Sequence, residues 1–383
     1  MVLYLEIRQQ VCLLFFFRGS QFDLFFYKKQ IKLATSKNYN TNHPMYSIKT
    51  TIPYLLALLA ILGIASCSNE FNLNAPAEEI PIVYGLLSRA DDTHYIRVER
   101  AFIEESTSGL ELAQQADQLY FDDNIEVTIV RLNNQRSFPL QRVNAELEGI
   151  EREPGIFATS PNILYKIEAA TLQLQEGEQY ELVIRNNADT VLTRAITSIV
   201  SDLRLNRPIP GNNKLPLRIL EDDDLTIIWA ADETASFFDV QMHINYDEWT
   251  ATTSATPQQQ TAILNLSGNQ TAIDGPNRVE IEGIEFYRLL ASAIPVDPSV
   301  LRLLTSIDIV IDAGGQELFQ YINVGQANTG ITSSQIVPTF TNLSDGLGVF
   351  SSRNQFIEEG FFVDSATRDL LRDGELTRDL NFQ

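Results

Sequence analysis

The chain has 383 residues, with 28 Lys+Arg against 50 Asp+Glu and a formal net charge of −22. Such a surface repels phosphate backbones and argues against nucleic acid as a partner, while 44% hydrophobic residues argue against wholesale disorder. Two cysteines and three histidines are too few for a zinc cluster or a disulfide framework.

Residues 1–44 are basic and carry Phe-rich runs, Phe15-Phe16-Phe17 and Phe25-Phe26, with no helical or strand period. Met45 opens a second start, so 1–44 reads as a non-native upstream extension. Lys49 supplies a positive n-region, and 52–65 is a mainly apolar run. That run is short of the ~20 residues a membrane-spanning helix needs and suits the h-region of an export signal, 45–66. It ends in Ile64-Ala65-Ser66-Cys67, which matches the bacterial lipobox: an aliphatic residue, two small residues, then Cys. The small residues admit the signal peptidase, and the Cys67 thiol takes the lipid as a thioether. Cys67 is therefore the expected lipid-attachment residue. Ser68 after it, in place of Asp, leans toward the outer membrane, and 67–79, broken by Pro76, reads as a tether.

From Ile80 the period is two. Segments 80–87 and 94–102 flank the turn Ala90-Asp91-Asp92-Thr93 and read as a hairpin. Helical spacing over 109–120 predicts a short helix or ordered insertion. Strands are expected at 124–132, 138–143, 163–167 and 191–199. Between them, Gly177 precedes Tyr180, Leu182 and Ile184 on one face, as in the tyrosine corner of immunoglobulin-like sandwiches. Residues 80–200 read as one such sandwich. A second unit, 201–353, opens with a linker-grade stretch at 207–213. There Leu225, Ile227 and Trp229 alternate, followed by Phe238 to Tyr246, as at the start of a fibronectin type III-like sandwich. Further strands are expected at 262–266, 306–311 and 318–324, with a helix at 285–294. Residues 354–383 read as a C-terminal tail. The expected fold class is mainly β, two tandem β-sandwiches with a few short helices.

No catalytic constellation emerges. His94 and His243 lie beyond the signal, and neither is near a Ser or Cys motif; both read as surface or turn histidines. The acidic groups Asp91-Asp92, Asp122-Asp123 and Glu221-Asp222-Asp223-Asp224 fall in turns. A glycosidase would need two of them converging across a cleft. Calcium at 221–224 lacks the alternate-residue ligand spacing of an EF-hand loop. No metal ligand and no cofactor motif is assigned. Trp229 shares a face with apolar neighbours and reads as core, while Trp249 is the better-exposed platform for stacking a sugar. Asp189-Thr190-Val191 and Asp364-Ser365-Ala366 fit a short O-glycosylation pattern at about the frequency chance gives.

Toward the C-terminus the chain reads Phe319-Gln320-Tyr321-Ile322-Asn323, then Asn342, Asp345-Gly346, Gly348 and Phe350. Asp345-Gly346 is a turn, and Gly348 permits close backbone approach in a short strand capped by Phe350. The lipobox, the 82–102 hairpin, Gly177-x-x-Tyr-x-Leu, a Tyr-containing strand and Asn-x-x-x-Gly-x-Gly-x-Phe occur in this order over about 67–353. That combination resembles a family of uncharacterised Bacteroidota outer-membrane lipoproteins known as a domain of unknown function. The family has no established activity, so the resemblance implies no catalytic residues. Its members often accompany TonB-dependent outer-membrane receptors, which implies such a receptor as partner. The reading that results is a non-enzymatic, outer-membrane-anchored binding or accessory module. The alternatives are a glycan-binding lipoprotein of a polysaccharide uptake system and, behind it, a carboxylate-pair hydrolase.

Overall fold

A computed structural model describes residues 2–7, 11–18, 21–27, 79–101, 112–250, 256–271, 277–327 and 339–383. Cys67, the signal segment and most of the tether lie outside the described residues. The chain is mainly β, with a few short helices. β1 (Val2–Ile7), β2 (Val11–Arg18) and β3 (Gln21–Tyr27) pair antiparallel in a small sheet of their own. This differs from the aperiodic reading of 1–44; Phe, Val and Leu runs favour extended backbone even without alternation.

The other strands build two sandwiches. β4 (Ile80–Leu87) and β5 (Thr93–Ala101) form the expected hairpin. β6 (Ile125–Arg131), β7 (Arg136–Pro139), β10 (Gln179–Asn186) and β11 (Val191–Ser198) make a four-stranded sheet in the order β11-β10-β6-β7. The strand expected over 138–143 is two, because the chain changes sheets at Leu140. β7 stays with β6, and β8 (Gln141–Asn144) pairs with β9 (Ile163–Glu168). Between the layers lie Val83, Ile96, Val98, Ile129, Tyr165, Leu182 and Ile184. Tyr180 is fully buried, and its hydroxyl accepts from the Gln175 backbone N–H at 3.0 Å. That is the geometry of a tyrosine corner.

In the second sandwich, β12 (Arg204–Arg207), β13 (Asp224–Ala230) and β16 (Asn277–Glu282) form one layer. β14 (Phe237–Thr250), β15 (Gln258–Thr271) and β17 (Val300–Gly314) form the other. Trp229 is fully buried here, edge-on to Phe238 with ring centroids 5.2 Å apart. Helix α3 (Gly283–Ala293) closes the core with Phe286, Tyr287 and Leu290. Two shorter helices, α1 (Ala116–Leu119) and α2 (Ala169–Leu172), belong to the first sandwich.

The two sandwiches share one sheet. β18 (Leu347–Phe361) pairs parallel with β4 through Leu347–Ser352, then antiparallel with β17 through Arg353–Phe361. The result is an eight-stranded sheet in the order β15-β14-β17-β18-β4-β5-β9-β8. The boundary drawn at 353 thus falls inside a strand, and the short strand capped by Phe350 is instead 15 residues long with Phe350 in its interior. The Asn-x-x-x-Gly-x-Gly-x-Phe residues explain the parallel seam. The Asn342 side chain donates to the Phe350 carbonyl at 2.7 Å and to the Ile196 carbonyl at 3.1 Å. Its Oδ1 accepts from the Phe350 N–H at 3.0 Å. Gly348 has φ +107°, and a Cβ there would stand 2.0 Å from the Val83 carbonyl oxygen. Only glycine lets β18 close on β4 at this point.

Residues 354–383, set apart in the sequence as a tail, are built into the second core. Val363, Leu371, Leu380 and Phe382 are buried there. Helix α5 (Ser365–Asp373) is capped by Asp364, whose side chain accepts from the Thr367 N–H at 2.8 Å. The Arg302 side chain is only 1% exposed. Its guanidinium reaches Glu248 Oε2 at 2.8 Å, the Leu380 carbonyl at 2.6 Å and the Pro295 carbonyl at 3.1 Å.

The stretch 318–324, expected as a strand, is helix α4 (Gln316–Ala327). Its apolar residues Leu318, Tyr321 and Ile322 are spaced for a helix face, and the pair Gly314-Gly315 ends the preceding strand. Ser351 fixes the first turn: its hydroxyl accepts from the Leu318 N–H at 3.2 Å and donates to Glu317 at 2.9 Å.

Candidate active or binding cleft

The inner face of the shared sheet is core. Its outer face crosses the seam between the sandwiches, and there it forms the floor of a cleft of about 690 Å³. The pleat decides which side chains reach it. On β4 and β5, Val83, Ile96 and Val98 face the core, so Tyr84, Leu86, Tyr95 and Arg97 face the cleft. On β14, β17 and β18 the same alternation presents Asp239, Asp312, Arg353 and Gln355. Helix α4 walls one side with Leu318 and Ile322. Phe237 stands beside them, stacked on Phe319 at 5.9 Å. Its ring covers Gly314 on the neighbouring strand, where a Cβ would come 2.1 Å from Cε1. The β4–β5 turn contributes Asp91, Asp92 and Thr93, and Ile150 comes from the loop after β8.

Most of the positive charge is already engaged. Arg353 Nη2 donates to both carboxylate oxygens of Asp91, at 3.0 and 3.1 Å. Arg97 donates to Glu99 and to Asn162, each at 3.1 Å. Glu99 is 2% exposed and also holds Arg152 at 2.8 Å. Burial opposes the Arg152 charge, but Glu99 and Tyr120 outweigh it and hold its pKa above the usual range. This buried group pins the 145–162 loop to β5, so the cleft has a firm rim.

The phenols are protonated at neutral pH. Burial, then the neighbouring Tyr321, pushes Tyr84 well above its ordinary value. Partial burial and a hydrogen bond to Glu148 push Tyr95 up to about 12. On the floor, burial raises the Asp312 carboxyl, the Gln355 hydrogen bond at 2.8 Å draws it down, and the Asp239 charge raises it again, with a net upward shift.

The sequence-selected residues scatter over the molecule. Asp91 and Asp92 line the cleft. Asp122 and Asp123 are exposed elsewhere, with Asp123 paired to Arg142 at 2.7 Å. Glu221, Asp222 and Asp224 line a separate shallow depression of about 410 Å³ with Glu282 and Ile284. Among the described residues, no three acidic, His or Cys side chains are grouped to hold a metal ion. Trp249 is half-buried near the end of β14. Ten residues of extended chain separate it from Asp239, roughly 33 Å. His243 is half-buried on the outer face, its Nε2 3.2 Å from Gln241. His94 is not a surface or turn histidine: it is 2% exposed, within β5. It shares parity with Ile96 and Val98, which carries it inward.

Sequence reasoning did not select Tyr84, Tyr95, Asp239, Asp312, Arg353 or Gln355. Their parity was visible, since each alternates with core residues. Their convergence depends on β18 lying between β17 and β4, which no local pattern encodes.

No protein-family model matches the chain, and no curated protein does. Among solved structures, the C-terminal globular domain of an oligosaccharyltransferase from Pyrococcus abyssi is 12% identical, with a TM-score of 0.18. The alignment covers 76% of this chain and 49% of that one, so the chain spans about half the length of that structure.

Proposed function

We propose that the chain is a lipid-anchored outer-membrane binding module that works without catalysis, tethered through Cys67 and presenting the cleft to its ligand or to a TonB-dependent receptor. The cleft carries this reading. It lies on the face that the two sandwiches share, its rim is pinned by the Glu99–Arg152 pair, and its lining mixes apolar walls with a few polar groups, as binding sites do. The lipobox ending at Cys67 supports the anchor. Two or more acyl chains at one residue hold a protein firmly, whereas a single chain anchors only marginally.

Membrane fractionation with cross-linked capture tests both parts in cells that make the protein. Wild type should partition with the outer membrane and retain a membrane receptor. Cys67→Ser should be released to the soluble fraction. Leu86→Trp, which fills the cleft, should stay in the membrane and lose the receptor. Membrane retention of Cys67→Ser would overturn the anchor, and undiminished capture by Leu86→Trp would overturn the role of the cleft.

A further inference from the structure

We propose that the cleft takes an organic cation, with an ammonium or guanidinium group over Asp239 and Asp312 and an apolar body against Phe237, Leu318 and Ile322. The proposal rests on the reading of this cleft as the binding surface, and it names the chemistry of the occupant.

Asp239 and Asp312 are directly opposed across β14 and β17. Like charges in that position repel and destabilise a sheet. Elsewhere on this face the basic side chains are matched to acids: Arg353 to Asp91, Arg97 to Glu99, Lys166 to Glu148 and Glu168. The Asp239–Asp312 pair has no ion pair of its own among the described residues; burial and Asp239 push the Asp312 carboxyl up by more than the Arg353 and His243 charges draw it down. Among the described residues, the groups that bond it are the neutral amides of Gln241, at 3.2 Å from Asp239, and Gln355, at 2.8 Å from Asp312. Asp92, on the same cleft, is exposed and in no described ion pair. The lining therefore carries a net negative balance, Asp91, Asp92, Asp239 and Asp312 against Arg97 and Arg353, within a partly desolvated cavity where charge–charge interactions are stronger than in water.

The second observation is the wall. Phe237, Leu318, Ile322 and Leu86 form a continuous apolar cluster, and it opens onto the same cavity as the two carboxylates. A bare metal ion or a small inorganic cation would leave that wall unused. A neutral apolar ligand would leave the carboxylate repulsion unrelieved. A cation on an apolar body satisfies both surfaces at once, and the aromatic ring of Phe237 adds a face that attracts positive charge.

The test uses 4-phenylbutylamine and its uncharged counterpart 4-phenylbutanol, with binding to the full chain followed by saturation-transfer NMR. The amine should bind at least tenfold more tightly than the alcohol, and more weakly as salt rises. The Asp239→Asn/Asp312→Asn variant should lose at least tenfold in amine affinity while its thermal midpoint rises, because the repulsion is gone. The Asp222→Asn/Asp224→Asn variant, in the separate depression, should bind the amine like wild type; an equal loss there would reduce the effect to general acidity and overturn the proposal. Equal binding of amine and alcohol, both abolished by Leu86→Trp, would overturn the cation and leave the cleft reading standing. Binding of neither probe also overturns the cation, and the cleft reading is then decided by whether Leu86→Trp still captures the receptor.

Discussion

At the scale of single residues, His94 shows how little a residue type says about its role. Its β5 position puts it among Ile96 and Val98, and among the described residues neither ring nitrogen has a hydrogen-bond partner. Burial lowers its pKa below the ordinary 6.5; Asp91 pulls it back up and Arg353 pushes it down again. The sign of the pH effect follows. Above pH ~6.5 the ring is neutral in both folded and unfolded chains, and pH has no leverage through it. As pH falls through that value the unfolded chain takes up a proton that the folded chain refuses, so stability declines until the folded pKa is reached. His94→Leu should remove this component. In urea unfolding between pH 7.5 and 5.5, wild type should lose stability relative to His94→Leu as pH drops. Parallel pH dependences for the two proteins would show that His94 is solvated or partnered in solution.

At the scale of elements, the decisive one is β18, and glycine decides whether it forms. Gly348 and Gly360 both have positive φ, +107° and +80°, but only Gly348 faces an obstacle, the Val83 carbonyl 2.0 Å from a built Cβ. Among the described residues, nothing lies within 4 Å of a Cβ at Gly360. Gly360→Ala should therefore cost only backbone strain, about 1 kcal/mol. Gly348→Ala should part β18 from β4 and cost about 3 kcal/mol or more. Thermal melts of the two variants make the comparison, and similar losses would mean that the parallel seam is not tight. The strands were largely legible in the sequence, because period-two alternation is a local signal: β5, β13 and β14 largely follow it, whereas β4 is buried almost throughout and was marked by its β-rich residues and the turn after it. Helix α4 was not, since Phe319-Gln320-Tyr321-Ile322 also alternates over a few residues, and only the longer spacing of Leu318, Tyr321 and Ile322 settles it. β18 was legible as a turn and a glycine pair but not as a seam, because its parallel partner β4 lies over 250 residues earlier in the chain. The candidate site was hidden for the same reason. Asp91 and Asp92 could be singled out as acids, whereas Asp239 and Asp312 become a pair only once β14 lies beside β17.

At the scale of the molecule, the two sandwiches are coupled through the shared sheet. The first core contains Phe350, fully buried and contributed by β18. Its ring packs on Gly85, where a Cβ would come 3.1 Å from it. Asn342 ties the same strand to β11 through the Ile196 carbonyl, and the Ser352 hydroxyl bonds the Ser198 carbonyl at 2.6 Å. A fragment spanning 80–200 contains every strand of the first sandwich except this one. It would lose a buried Phe, worth about 3–5 kcal/mol, and would leave the hydrogen-bonding edge of β4 unpaired. Against a total stability of about 5–15 kcal/mol for a domain, those losses leave little margin. The 80–200 fragment should be unfolded or associated on its own, with poor dispersion in its proton–nitrogen NMR spectrum. The same fragment carrying 339–353 on a flexible linker should recover a dispersed spectrum, because those residues return Phe350, Asn342 and the parallel partner of β4. A dispersed, monomeric spectrum from 80–200 alone would show that the first sandwich is an independent unit and that the seam is an accessory contact. Recovery only on adding 339–353 would establish that the cleft floor and the first core are made by one strand, so that a ligand on the cleft and the folding of the first sandwich are thermodynamically linked.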